Sequence, residues 1–112
     1  MTKPKKESEL SYHISWVSAT LKMHPQTIRH YENLGLITPR RSSGNIRLFS
    51  EQVIKRLEQI NTFTNLGINL AGVEVIMHLL DKMETMRKYM DNELLKARVE
   101  MEALRKKLEE NL

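Results

Sequence analysis

The sequence predicts a mainly α-helical fold: a small headpiece of short helices around one hairpin, then a single long helix. Three observations lead there. Apolar residues recur at helical spacing from Ile14 onward and are punctuated by Pro25, Gly35 and Gly67. Between residues 36 and 49 that spacing breaks into short apolar runs around a Gly-Asn segment. From Val73 to Leu112 there is neither Gly nor Pro, and apolar residues alternate three and four apart. With 112 residues, 40% of them apolar, the chain has room for one small domain and one projecting element.

The first helix carries Ile14, Val17 and Leu21 on one side, with Trp16 and Ala19 between them. It should stop near Met23-His24, because proline disfavours helical geometry at the residue before it. Pro25 suits the first position of a second helix, which runs to Leu34 and ends at Gly35 in a left-handed cap. Two short helices across a turn of about three residues form a helix-turn-helix. Leu36-Ile37-Thr38 and Ile46-Arg47-Leu48-Phe49 then read as the two strands of a hairpin, and a hairpin in that place is a wing. Ser50 caps a third helix, whose apolar face holds Val53, Leu57, Ile60 and Phe63, with Ile54 and Leu66 on the flank. Gly67 ends it. Asn69 caps the last helix, with Leu70, Val73, Ile76, Met77 and Leu80 on the inner side.

That last helix has a heptad seam of Leu80, Met83, Arg87, Met90, Leu94, Ala97, Met101, Leu104, Leu108 and Asn111, of which eight in ten are apolar. One apolar stripe of that length needs another helix, most simply from a second copy of the chain. Met83, Met90, Leu94, Ala97, Met101, Leu104 and Leu108 are the expected dimerisation residues. The predicted organisation is a disordered basic arm over 1–11, a winged helix-turn-helix domain over 12–80 and a long C-terminal coiled-coil dimerisation helix over 81–112.

Charge is unevenly distributed. The chain carries 18 Lys+Arg against 14 Asp+Glu, a balance of +4, and residues 1–50 hold +5 of it against −1 for the rest. Within 21–50 the only acid is Glu32. A basic half points to an anionic partner. At about 100° per residue, Gln26, Arg29, His30 and Asn33 share one side of the second helix, while Ile28 and Tyr31 fall opposite. Outward Gln, Arg and Asn are the side chains that read adenine and guanine edges in a major groove. Arg40, Arg41 and Arg47 cluster on the hairpin, where they can hold phosphates without reading sequence. An ordinary solvated helix face and a charged loop are the plain alternatives.

The run from Gln26 to Leu36 (QTIRHYENLGL) resembles the T-I-R-x-Y-E-x-x-G-L signature of the MerR family of transcription regulators. Arg47-Leu48-Phe49-Ser50 is similar to that family's wing strand, and Gly67-Ile68-Asn69-Leu70 to the turn before its fourth helix. The likeness extends over residues 12–112. Met23-His24-Pro25-Gln26-Thr27 and the stretch from Gly67 to Glu74 resemble the heat-shock repressor branch. The resemblance implies a homodimeric repressor of chaperone genes on an inverted-repeat operator, with an antiparallel coil and a DnaK-type chaperone as co-repressor; a cytoplasmic location is expected from the absence of export or membrane signals. It implies DNA contacts from Gln26, Arg29, Tyr31 through its hydroxyl, Arg41 and Arg47; Thr27, His30, Asn33 and Arg40 complete the expected contact set from the helix and hairpin. Two positions depart from the pattern. His30 stands where many members have an aromatic residue, and Thr64 where some place a phosphate-binding arginine.

Other classes find little support. No apolar run approaches the roughly 20 residues of a membrane span. The lysine-rich start lacks a following apolar core, so it is not read as a signal peptide. Without cysteine there is no disulfide or thiolate site, and the metal-sensing relatives' cysteines have no counterpart. His13, His24, His30 and His78 form no i,i+4 pair, so neither metal nor cofactor is expected. No phosphate loop or nucleophile–base order suggests an enzyme. The remaining alternatives are a nitrogen-control-type or other regulator of the same family and, from another class, a coiled-coil adaptor whose basic head binds an acidic protein. Trp16 and Phe63 are expected in the core.

Overall fold

The structure, a computed structural model, describes residues 10–112. The arm expected over 1–11 lies outside the described residues as far as residue 9. Its last residue does not belong to an arm: Ser11 and Tyr12 form strand β1. There follow α1 (Ile14–Leu21), α2 (Pro25–Asn33), β2 (Arg40–Arg41), β3 (Arg47–Ser50), α3 (Glu51–Asn65) and α4 (Leu70–Glu110).

The chain forms two compact units, one reaching to Glu74 and the other spanning Val75–Leu112. In the first, Val17, Ile28, Ile37, Phe49, Leu57, Ile60 and Val73 are fully buried. One residue or two from every long element thus meets in a single core. On α3 the buried positions are Ile54, Leu57 and Ile60. The expected face is therefore centred closer to Ile54 than to Val53, and Leu66 is largely exposed just past the helix end.

Helix ends follow local chemistry. Both α2 and α3 close with paired terminal bonds to a left-handed glycine. Gly35 (φ +78°) donates to Glu32 and Leu36 to Tyr31, while Gly67 (φ +89°) donates to Thr64 and Ile68 to Phe63. The Ser50 hydroxyl accepts from the Val53 amide at 3.2 Å, and Asn69 Oδ1 accepts from Gly72 at 2.9 Å, so both expected caps are present. α1 ends differently. Lys22 takes up the left-handed conformation (φ 54°) at its C-cap.

The wing differs from the expected hairpin. Its first strand is Arg40–Arg41, not Leu36–Thr38. Leu36 and Ile37 are both buried. Consecutive side chains of a strand point to opposite faces, so two adjacent buried residues do not suit an edge strand with one solvated face, and Pro39 has no amide to donate to a ladder. These residues serve the core instead, and pairing begins after the proline. Arg40 pairs with Leu48 and Arg41 with Arg47. The turn places Asn45, rather than Gly44, at positive φ (61°), with the Asn45 amide donating to the Ser42 carbonyl. β1 completes an antiparallel sheet of order β1-β3-β2. A two-residue strand formed by Ser and Tyr leaves no alternation to read, which is why the sequence alone did not reveal it.

Trp16 is also not a core residue. It remains 46% exposed and stacks on Tyr12 with ring centroids 4.2 Å apart.

α4 is continuous over 41 residues, about 60 Å at the usual rise. Val73 and Met77 are buried and Ile76 and Leu80 half-buried. Further along, Arg87 bridges Glu84 (2.6 Å) and Asp91 (2.8 Å), and Arg105 bridges Glu102 and Glu109 in the same i−3 and i+4 arrangement. The hydrogen bonds from Arg87 and Arg105 hold the Glu84 and Glu102 carboxyls below their ordinary values. A depressed carboxyl contributes stability above the ordinary carboxylate range and loses it as pH falls through the depressed value. Helix content by far-UV circular dichroism should therefore decline on acidification below about pH 4. A Glu84→Gln/Glu102→Gln variant should show less of that decline.

Candidate nucleic-acid interface

The second helix is built to show one face. Pro25 starts it, and the ring of His24 caps it, with Nδ1 accepting from the Gln26 amide at 3.1 Å. That bond satisfies one of the orphan donors at the helix start. Ile28 and Tyr31 are buried, which turns Gln26, His30 and Asn33 outward and leaves Arg29 and Thr27 half-exposed. The side chains of Gln26, Arg29, His30 and Asn33 make no hydrogen bond or ion pair with other described residues. The His30 ring lies 6.4 Å from that of Tyr31. Four adjacent polar side chains with unspent donors and acceptors form a surface ready for an external partner.

Tyr31 shows a divided environment. The residue is only 8% exposed, yet no buried polar atom among the described residues lacks a partner, and its hydroxyl has none among those residues. The ring therefore packs inward while the hydroxyl keeps access to solvent.

The three wing arginines do not form one cluster. Alternation along β2 sends Arg40 and Arg41 to opposite faces. Arg40 donates to the Ser11 hydroxyl at 3.0 Å and so ties the outer strand to β1. Arg41 and Arg47 face each other across the ladder and both turn to Glu32. Arg47 Nε donates to Glu32 Oε1 at 2.6 Å, and Arg41 Nη2 to Oε2 at 3.4 Å. Arg41 Nη1 also reaches the Asn45 carbonyl at 3.3 Å. In sequence Glu32 stands as a lone acid opposing a basic patch, and its place at the junction of helix and wing does not show. The one signal is that Glu32 is the single carboxylate among 21–50, but its partners are 9 and 15 residues away. A second link comes from α3, where Arg56 Nε donates to the Leu36 carbonyl at 2.9 Å. Thr64 is spent locally on the Asn61 carbonyl at 3.0 Å.

Among the described residues, no group of three or more His, Asp or Glu is placed to hold a metal ion. No helix among them is long and apolar enough to cross a membrane.

A family model described as MerR HTH family regulatory protein matches residues 12–80. The chain belongs to the MerR family. This is a family of transcription regulators, not of enzymes. Among its relatives is the heat shock protein HspR of Streptomyces coelicolor, 41% identical over 69 residues, which are 61% of this chain and 46% of that protein. The GlnR regulator of Bacillus cereus is 34% identical over 56 residues, 50% of this chain and 43% of that one. A ZntR homolog of Haemophilus influenzae is 42% identical over 55 residues, 48% and 41% of the two chains. The chain thus spans less than half the length of these relatives. Among solved structures, HiNmlR, a MerR family regulator lacking the sensor domain and bound to promoter DNA, superimposes with a TM-score of 0.61 at 17% identity, covering 89% of this chain and 80% of that one. A MerR family regulator from Bacillus cereus gives 0.57 at 21% identity, covering 82% and 80%. Both likenesses show the MerR fold: helix-turn-helix, wing and long terminal helix.

The cap on α2 gives a first test of this surface. His24→Ala should lower unfolding free energy by about 1 kcal/mol, whereas His24→Ser, which restores a capping oxygen, should cost much less. Urea denaturation followed by circular dichroism measures both.

Proposed function

We propose that this MerR-family chain binds duplex DNA sequence-specifically as a homodimer, on an inverted repeat, and represses heat-shock or chaperone genes. The observation that carries the DNA reading is the face of Gln26, Arg29, His30 and Asn33, polar and unspent, standing beside an arginine-bearing wing. In this reading α2 enters the major groove. Gln26 and Arg29 meet base edges, with Asn33 and His30 beside them. Thr27 and the Tyr31 hydroxyl serve phosphates, and Arg40, Arg41 and Arg47 lie along the flanking backbone. HiNmlR, of like fold, was solved on promoter DNA. The heat-shock assignment rests on the similarity to HspR, and a DnaK-type chaperone as co-repressor is part of the same proposal.

The homodimer rests on α4. Met83, Met90, Leu94, Met101, Leu104 and Leu108 are each between 53% and 69% exposed, and Ala97 is exposed among them. Apolar side chains in a heptad stripe find cover most directly in a second α4. The domain reading that goes with this proposal assigns 12–80 to DNA and 81–112 to pairing.

The deciding experiment maps bound DNA in the native host before and after heat shock, then measures affinity for the recovered site at several salt concentrations. Chaperone promoters sharing an inverted repeat, with occupancy lost on heating, are the expected outcome. Other promoters would retain DNA binding and remove the heat-shock assignment. Arg29→Ala should cost about 1–3 kcal/mol on the cognate site and relax discrimination at one base position. Leu94→Lys/Leu104→Lys should turn the dimer into a monomer in sedimentation equilibrium and weaken binding to the full repeat far more than to a half-site.

A further inference from the structure

Glu32 lies where a surface for a polyanion would be expected to carry no negative charge. Point-charge reasoning says that its removal should raise affinity for DNA. The geometry points the other way. Arg41 and Arg47 are directly opposed across the β2–β3 ladder, and like charges in that relation repel. Glu32 sits between them, with one oxygen on each guanidinium. Its side chain is 19% exposed, so the carboxylate is partly shielded from water. Arg47 uses Nε alone on Glu32, and no other described residue takes its remaining donors. A guanidinium is a rigid planar fork, so engaging Nε fixes the plane in which the two terminal nitrogens present their hydrogens.

We propose that Glu32 is a positioning residue for DNA binding: it holds Arg41 and Arg47 so that their unspent N–H groups face the phosphate backbone. This inference rests on the DNA-binding reading above. It reverses the sign expected from charge alone, because removing a carboxylate from a basic surface should weaken binding.

The test is a salt titration of binding to the recovered site for the wild-type chain, Glu32→Ala and Glu32→Gln, each also in an Arg41→Ala/Arg47→Ala background. Glu32→Ala should bind about tenfold more weakly, the scale of one lost charge-assisted contact. Its slope of log affinity against log salt should fall by about one to two, as phosphate contacts are lost. Glu32→Gln, which keeps an acceptor oxygen, should lie between it and wild type. In the double-arginine background neither change should matter further. A role in folding alone would move the thermal midpoint without moving the salt slope. Should Glu32→Ala not fold, Glu32→Gln carries the same comparison. Binding as tight as wild type with an unchanged slope, or a full effect in the arginine-free background, would overturn the proposal. If wild type itself prefers no duplex sequence, the DNA reading fails. Hydrogen exchange of the Ser42 amide, which donates to Ile46, then decides the tether in the free protein. Faster exchange in Glu32→Ala supports it, and unchanged exchange overturns it.

Discussion

The carboxylate of Glu32 is the junction on which the surface of this domain depends. It is the sole acid among residues 21–50, and both arginines of the β2–β3 face converge on it. Without it two guanidinium groups would oppose each other across a ladder only two residues long on one side. Water still reaches both partners of this half-buried pair, which limits what it adds to global stability. Its effect is geometric. Phe49 anchors β3 in the core, while the exposed strand β2 is held toward α2 by side-chain bonds. Arg40 on Ser11 and Arg56 on the Leu36 carbonyl add two more such bonds from other sides.

The division of α2 follows from the same separation of tasks. Ile28 and Tyr31 lock the helix into the core, which leaves the outward residues free of structural duty. A side chain already hydrogen-bonded within the protein must break that bond before it can serve a partner. Gln26, Arg29, His30 and Asn33 carry no such obligation. Arg41 and Arg47 do carry one, and the Glu32 bonds leave part of each guanidinium unspent. The two sets of side chains are therefore suited to different work: adaptable polar contact from the helix, and fixed orientation from the wing arginines.

The second unit has the opposite character. From Val75 onward no residue but Met77 is buried, and large apolar side chains remain open to water along its length. Exposed ion-pair triads around Arg87 and Arg105 support the helix locally. Such i,i+3 and i,i+4 pairs add a few tenths of a kcal/mol each. They leave the apolar stripe to packing against another surface.

Much of this was legible in one dimension. Helix boundaries were readable because Pro25, Gly35, Ser50, Gly67 and Asn69 act within a few residues of themselves, through backbone geometry and caps. The two faces of α2 were readable because helical periodicity is regular. The signature from Thr27 to Leu36 carried the family resemblance for the same reason: its residues are contiguous. What the tertiary structure decided were relations between distant residues. Leu36 and Ile37 became core rather than strand because burial of both adjacent side chains outweighed a local β pattern. Ser11-Tyr12 became a strand only because β3 was there to pair with it. Trp16 left the core for Tyr12, and the arginine trio divided between Ser11 and Glu32. None of these has a local sequence signal, because each is settled by which groups the folded chain brings within hydrogen-bonding or packing distance.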